Sequence, residues 1–282
     1  MPIDCAFGYC SSLTSVIIPD SVTIIGNSAF GYCYSITSVV IGNSVESIGN
    51  YAFNGCNLLT NIRIPDNVTN IGSDAFDYCG DGLIKYLKGV GYVDKWAVSC
   101  DSAVTKVELK TDTVGIAQHT FYKCSSLVSV TIPDSVKNIC EHAFGSCSSL
   151  TSVNIPDRVE SIGRYAFYGC SGLTSINIPD SVTSIGGSAF NNCRGLMSVV
   201  IGNGVESIGS DAFNSCISLT SITIPDSVTF IDNYAFSGCS NLTDINYKGS
   251  MEEWSKIEKG EYWISSAYDY VVHCTDGDIK KS

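Results

Sequence analysis

Basic residues are scarce in this sequence. Sixteen Lys and Arg stand against 28 Asp and Glu in 282 residues, giving a formal net charge of −12. That balance argues against a nucleic-acid backbone and an anionic membrane surface as partners. Long apolar runs are also missing, and no stretch approaches the length of a membrane-spanning helix. Histidine is limited to three residues, none beside a plausible nucleophile. No CxxC pair occurs, which removes the common zinc spacings. No glycine-rich phosphate loop follows a strand, because the recurring Ile-Gly is a turn feature. No signal peptide is visible: Met1-Pro2-Ile3-Asp4 runs straight into repeat sequence, as expected of a chain trimmed of its leader. The expectation is a non-enzymatic protein with no cofactor and no metal. A cryptic hydrolase is the enzymatic alternative. It would need a constellation that breaks the repeat, and only residues 80–120 do so, with Cys100 and His119.

What the sequence has in abundance is one dipeptide at one interval. Ala6-Phe7, Ala29-Phe30, Ala52-Phe53 and Ala75-Phe76 lie 23 residues apart. The register returns at Thr120-Phe121 and continues through Ala143-Phe144, Ala166-Phe167, Ala189-Phe190, Ala212-Phe213 and Ala235-Phe236. A constant period of this length means stacked units, each too small to bury its own apolar face. Ten of the 14 cysteines stand three residues after the repeat phenylalanine, from Cys10 to Cys239. One per coil at one position predicts a column of small, buried, reduced thiols rather than a disulfide framework.

Residues 173–193 illustrate one coil. Leu173, Ile176 and Ile178 mark a short strand with Ile176 and Ile178 inward. Pro179 ends it, Asp180 and Ser181 cap the turn, and Val182 and Ile185 point inward again. Ser188-Ala189-Phe190 reads as a helical or 3₁₀ turn opposite. Strand registers begin at Leu13, Ile36, Leu59, Leu83, Val104, Leu127, Leu150, Leu173, Leu196, Leu219 and Leu242. The fold class is therefore an α/β repeat, a right-handed parallel β-solenoid with short helical or 3₁₀ turns opposite the sheet. Residues 1–247 form the solenoid, irregular over about 80–120, and residues 248–282 a C-terminal cap. In the cap, Ser250 and Glu253 form a capping-box pattern. Met251, Trp254 and Ile257 share one face of a helix ending at Gly260, and Tyr270 to Cys274 is a last strand closed by Asp276-Gly277. The first coil has no such cover and is expected to expose Phe7, Leu13, Val16 and Ile18. That end either self-associates with another chain or is covered by missing residues.

The pattern L-x-x-V/I-x-I/V-P-D-x-V/I-x-x-I-G-x-x-A-F-x-x-C resembles the BspA-like, or Treponema pallidum-type, leucine-rich repeat over residues 5–247. The resemblance implies a bacterial surface or secreted protein, of a family in which some members resemble adhesins, and it carries no shared catalytic residues. A host or neighbouring-cell surface protein is the implied partner, with no membrane insertion. A passive spacer or surface-layer element is the structural alternative.

Candidate sites follow from departures from the repeat. The strand face carries Ser15, Ser38, Ser129, Ser152, Ser175, Ser198 and Ser221, without the aromatic or Arg anchors usual in hot spots. It changes at Asn61 and Arg63, then Lys85, Tyr86 and Lys88, then Lys106, Glu108 and Lys110. Seven of the 16 basic residues fall between Lys85 and Lys137, with Tyr92, Lys95 and Trp96 nearby in sequence. These eight residues are the candidate ligand-binding set, against the plainer reading of an irregular coil solvated by lysine. Asp134, Asp157 and Asp180, continued by Asn203 and Asp226, read as a turn-capping column, with Ca²⁺ as the rarer alternative. His119 and His142 are one period apart, a coincidence or a pH-responsive pair. Tyr9, Tyr32 and Tyr34 form either ordinary surface or a sugar-stacking face.

Overall fold

The computed structural model describes residues 4–265 and 269–280. Met1-Pro2-Ile3, on which the reading of a trimmed start partly rests, lie outside the described residues, as do residues 266–268 and 281–282 of the expected cap. The chain divides into two compact units, residues 1–100 with 112–120 and residues 101–111 with 121–282. Each is a parallel β-solenoid.

The second unit is the more regular. Lys106–Glu108, Ser129–Thr131 and Ser152–Val153 form one parallel ladder. Ser175–Ile178, Ser198–Ile201, Ser221–Ile224, Asp244–Tyr247 and Val271–Cys274 form another, ended by antiparallel Gly277–Lys280. The register is the repeat itself: Ser175 pairs with Ser198, and Ile176 with Val199. Alternation works as the period-two pattern requires, with Ile176 and Ile178 buried and Ser175 and Asn177 exposed. A second ladder of two-residue strands runs from Asn138–Ile139 through Ser161–Ile162, Ser184–Ile185, Ser207–Ile208 and Phe230–Ile231 to Glu258–Lys259.

Between the ladders lies the phenylalanine spine. Phe121, Phe144, Phe167, Phe190, Phe213 and Phe236 are fully buried, and adjacent rings stack 4.9–5.4 Å apart within 6° of parallel. Full burial of one such ring contributes about 1.5–3 kcal/mol. In the first unit Phe30, Phe53 and Phe76 continue the same pattern, while Phe7 is 51% exposed. Of the other residues expected to be exposed there, Leu13 and Val16 are half-buried and Ile18 is buried. Phe7, Val16, Ile18, Ile25 and Phe30 line an apolar opening of about 590 Å³.

On the Ala-Phe side, where a helical or 3₁₀ turn is expected, the chain makes tight turns instead. Gly31 N–H donates to Ser28 O and Cys33 N–H to Phe30 O, but Phe30 N–H donates to Ala52 O of the next coil. Ser28 and Tyr32, at φ of 51° and 59°, break any helical run. Every second amide thus serves the stack, which a helix would not allow.

The first unit contains the larger surprise. Ser15–Ile18 pairs with Ser38–Ile41 in parallel, and Ile24–Ile25, Ser47–Ile48 and Asn70–Ile71 form its short-strand ladder. The parallel strand expected after Leu83 is absent. Lys85–Leu87, Val90–Val93 and Trp96–Cys100 form an antiparallel meander in its place. Its last strand then pairs in parallel with Gly115–Ile116. Tyr92, Val93 and Trp96 are among its buried side chains.

The cap forms its capping box. Ser250 Oγ accepts from Glu253 N–H, and Glu253 accepts from Ser250 N–H. The helix Met251–Lys256 stops short of Gly260, because Ile257 turns extended and Glu258–Lys259 joins the short-strand ladder. Trp254 and Ile257 are buried, as expected of one face, whereas Met251 stays at the surface. Lys259 Nζ donates to Trp254 O and Ile257 O, satisfying the carbonyls at the helix end.

Candidate interaction surface

The meander carries exposed basic and aromatic side chains of the first unit. All three residues of Lys85–Leu87 face solvent, and Tyr86 is 65% exposed. Lys88 and Gly89 make the tip with φ of 48° and 84°, the double left-handed geometry of a two-residue hairpin turn. Beneath the tip, Ser99 donates to the Tyr86 hydroxyl at 3.2 Å. Asn61 and Arg63 are exposed on the 61–64 segment, which lies outside any ladder. Asp94 of the meander accepts the Ile64 N–H at 3.0 Å, so the two segments are tied together. Tyr92 and Trp96, close to the patch in sequence, are buried and belong to its foundation.

The remaining three candidates belong to the second unit. Lys106 and Glu108 point outward from their strand, in register with Ser129 and Thr131, and Lys110 is half-buried just beyond it. The structure thus gathers Lys85, Tyr86 and Lys88 on one hairpin, ties Asn61 and Arg63 to its base, and sets Lys106, Glu108 and Lys110 along one strand. Sequence reading missed Leu87, which is 46% exposed on the hairpin; the unequal spacing around Leu83 was the available signal.

Three other periodic features make internal contacts. In eight coils the cysteine thiol donates to the carbonyl of the phenylalanine 26 residues earlier, for example Cys33 to Phe7 and Cys193 to Phe167, at 3.0–3.3 Å. No disulfide joins any pair among the described residues. Burial pushes the thiols of Cys56, Cys79 and Cys170 up to about 12, so they are poor nucleophiles at neutral pH. In the aspartate column, Asp180 Oδ1 accepts the Asn203 N–H of the next coil at 2.6 Å, and Asp20 does the same for Asn43 at 2.7 Å. His142 stacks on Tyr165 with ring centroids 4.6 Å apart.

A family model described as "BspA type Leucine rich repeat region (6 copies)" matches residues 3–99, 97–194 and 160–259. The chain belongs to the BspA-type leucine-rich repeat family. It is similar to a leucine rich cell surface protein from Faecalibacterium prausnitzii A2-165, with 31% identity and a TM-score of 0.51 over 90% of this chain and 64% of that one. The chain therefore spans less than two thirds of that protein's length. It is likewise similar to the T. pallidum leucine rich repeat protein, with 31% identity and a TM-score of 0.53 over 58% of this chain and 77% of that one. A leucine-rich repeat protein from Eubacterium ventriosum ATCC 27560 shares the fold, at 20% identity, a TM-score of 0.56 and coverage of 95% and 87%. No curated protein sequence matches the chain. Proteins of this family are typically at the surface or secreted. No helix among the described residues is long and apolar enough to cross a membrane.

Proposed function

We propose that this chain is a non-enzymatic protein-binding module, displayed outside a cell, that engages a host or neighbouring-cell surface protein. The observation carrying this reading is the meander. It replaces a repeat strand with a hairpin whose outer residues Lys85, Tyr86, Leu87 and Lys88 are all exposed over buried Tyr92 and Trp96. A rigid base beneath an exposed basic and aromatic tip suits recognition, since anchors held by packing lose little entropy on binding. Asn61 and Arg63 in the first unit, and Lys106, Glu108 and Lys110 in the second, are the other proposed contacts. The name of the Faecalibacterium protein supports the location.

The test is binding to a panel of extracellular-matrix proteins over a salt series. Replacing Arg63, Lys88, Lys106 and Lys110 together by Ser should weaken the affinity at least tenfold and reduce its salt dependence, with the melting temperature unmoved. Unaltered affinity would sink the patch, and binding to none of the panel favours the passive spacer. Self-association through the opening at Phe7 belongs to the same proposal, and a strict monomer in the ultracentrifuge at high protein concentration counts against it.

A further inference from the structure

Two residues after each repeat phenylalanine the backbone turns left-handed. In the first unit that position holds Tyr9, Tyr32, Gly55 and Tyr78, and in the second Lys123, Ser146, Gly169, Asn192, Ser215 and Gly238. All ten have φ between 56° and 74°. Glycine adopts this conformation without strain and asparagine with little, whereas a bulky ring there is an outlier. The second unit shows that small or polar residues satisfy the turn, so the fold does not require tyrosine. Nor does the core: Tyr9 is 71% exposed and Tyr78 is 78% exposed. Strained backbone that carries exposed aromatic side chains is characteristic of a surface kept for a ligand.

Tyr9, Tyr32 and Tyr34 form a connected surface. Tyr9 and Tyr32 stack 5.0 Å apart at 16°, and Tyr34 tilts against Tyr32 at 6.2 Å. The Tyr32 ring extends over Gly55, where an added Cβ would come within 2.8 Å of its Cδ1. Exposed Tyr51 and Asp74 and half-buried Asp77 belong to the coils that carry Gly55 and Tyr78. The Asp74 charge holds the Tyr51 phenol above its ordinary pKa, which sets the two side by side. Burial, and then Asp74, raises Asp77. Residues 1–80 contain a single basic side chain, Arg63. Around Tyr51 an anionic ligand would meet the carboxyl groups of Asp74 and Asp77.

We propose that the tyrosine column of the first unit is a binding surface for a neutral glycan. Phenol rings offer flat, amphipathic faces to the C–H faces of pyranose rings. The carboxyl groups of Asp74 and Asp77 and the phenol hydroxyls accept and donate to sugar hydroxyls. The surface rests on different residues from the hairpin proposed to bind protein.

The experiment is affinity electrophoresis of the full chain in gels containing mannan, dextran or xyloglucan, followed by saturation-transfer NMR with the matching neutral oligosaccharide. The wild type should be retarded by at least one of them. Tyr9→Ser, Tyr32→Ser and Tyr78→Ser together, which borrow the second unit's own residue, should weaken binding at least tenfold without lowering the melting temperature. If that triple variant fails to fold, Tyr78→Asn alone should weaken binding at least threefold. Lys85→Ser with Lys88→Ser should leave glycan binding unchanged. The proposal is overturned if no polysaccharide retards the wild type, if the tyrosine variants bind equally, or if the lysine variant loses binding to the same degree. Loss of a captured protein, rather than of glycan, in the tyrosine variants would instead make the column a protein interface.

Discussion

A repeat phenylalanine carbonyl in this chain serves two donors. Phe7 O accepts the amide of Cys10 and the thiol of Cys33, and Phe30 O accepts those of Cys33 and Cys56. That explains cysteine at the position: it is small, soft and able to fill the second lone pair inside a dry core. His273 shows the opposite case, an exposed side chain with too many acceptors. Its Nε2 lies 3.0 Å from Asp244 Oδ1 and its Nδ1 2.9 Å from Asp278 Oδ1. Neutral imidazole has one N–H, so only the imidazolium satisfies both carboxylates. The hydrogen bond to Asp244, and then that to Asp278, raises the His273 pKa above 6.5. Thr243, and then His273, lowers that of Asp244. Nearby Cys274 is raised by burial and by Asp276 and Asp278. The contribution of His273 is therefore complete below its unfolded pKa of about 6.5 and is lost as pH rises through the higher folded value. That of Asp244 is present above about 3.9 and fades as pH falls through its depressed folded value. Exposure keeps both effects small. His273→Gln should lower the melting temperature more at pH 5.5 than at pH 8.5, and the wild-type His273 ring should titrate in NMR with a midpoint above 6.5. An equal loss at both pH values would rule out the double clasp.

Among the elements, the strands were the most legible. Alternating Ser-Ile-Asn-Ile, Pro at the strand end and Ile-Gly after it are local chemistry, and Ser175–Ile178 forms where they place it. The helical turn was not legible, because Ser-Ala-Phe has ordinary helix propensity and only stacking diverts its amides to the next coil. The meander was hidden by Leu83 and Val104, which keep nearly the repeat spacing while the chain between them doubles back. Of the candidate site, Lys85, Tyr86 and Lys88 could be read as a break in the pattern, but buried Tyr92 and Trp96 could not be told from surface by sequence distance. One overlooked signal was Gly115, where the equivalent coil positions hold Asn138 and Ser161. The Trp96 ring occupies the space of its missing side chain, with Cε3 2.8 Å from an added Cβ. Gly115→Ala should cost about 1–3 kcal/mol by overpacking and shift Trp96 fluorescence to the red. Gly8→Ala, whose added Cβ meets nothing nearer than 3.5 Å, should stay within about 0.5 kcal/mol. Equal costs, or an unmoved emission spectrum, would show that the glycine does not seat the tryptophan.

At the scale of the whole molecule, stability is distributed along the repeat rather than held in one centre. In the second unit each coil packs against its two neighbours, so the energetics approach a sum of coil and interface contributions. Phe167 is fully buried between Phe144 at 5.1 Å and Phe190 at 5.3 Å. Phe167→Ala should cost about 3–5 kcal/mol, as truncation of a buried ring does. Ser175→Ala, on the exposed strand face, should cost no more than about 0.5 kcal/mol. The distribution of the damage separates a stack from a single cooperative core. Native-state amide exchange in the Phe167→Ala protein should rise most at Cys147 and Cys193, whose amides bond within the adjoining coils, and at Phe144, whose amide donates to Ala166 O of the altered coil. The rise should then fade over the following coils towards Phe236. A uniform loss of protection across the second unit would mean that its coils unfold together, and the nearest-neighbour description of its stability would fail.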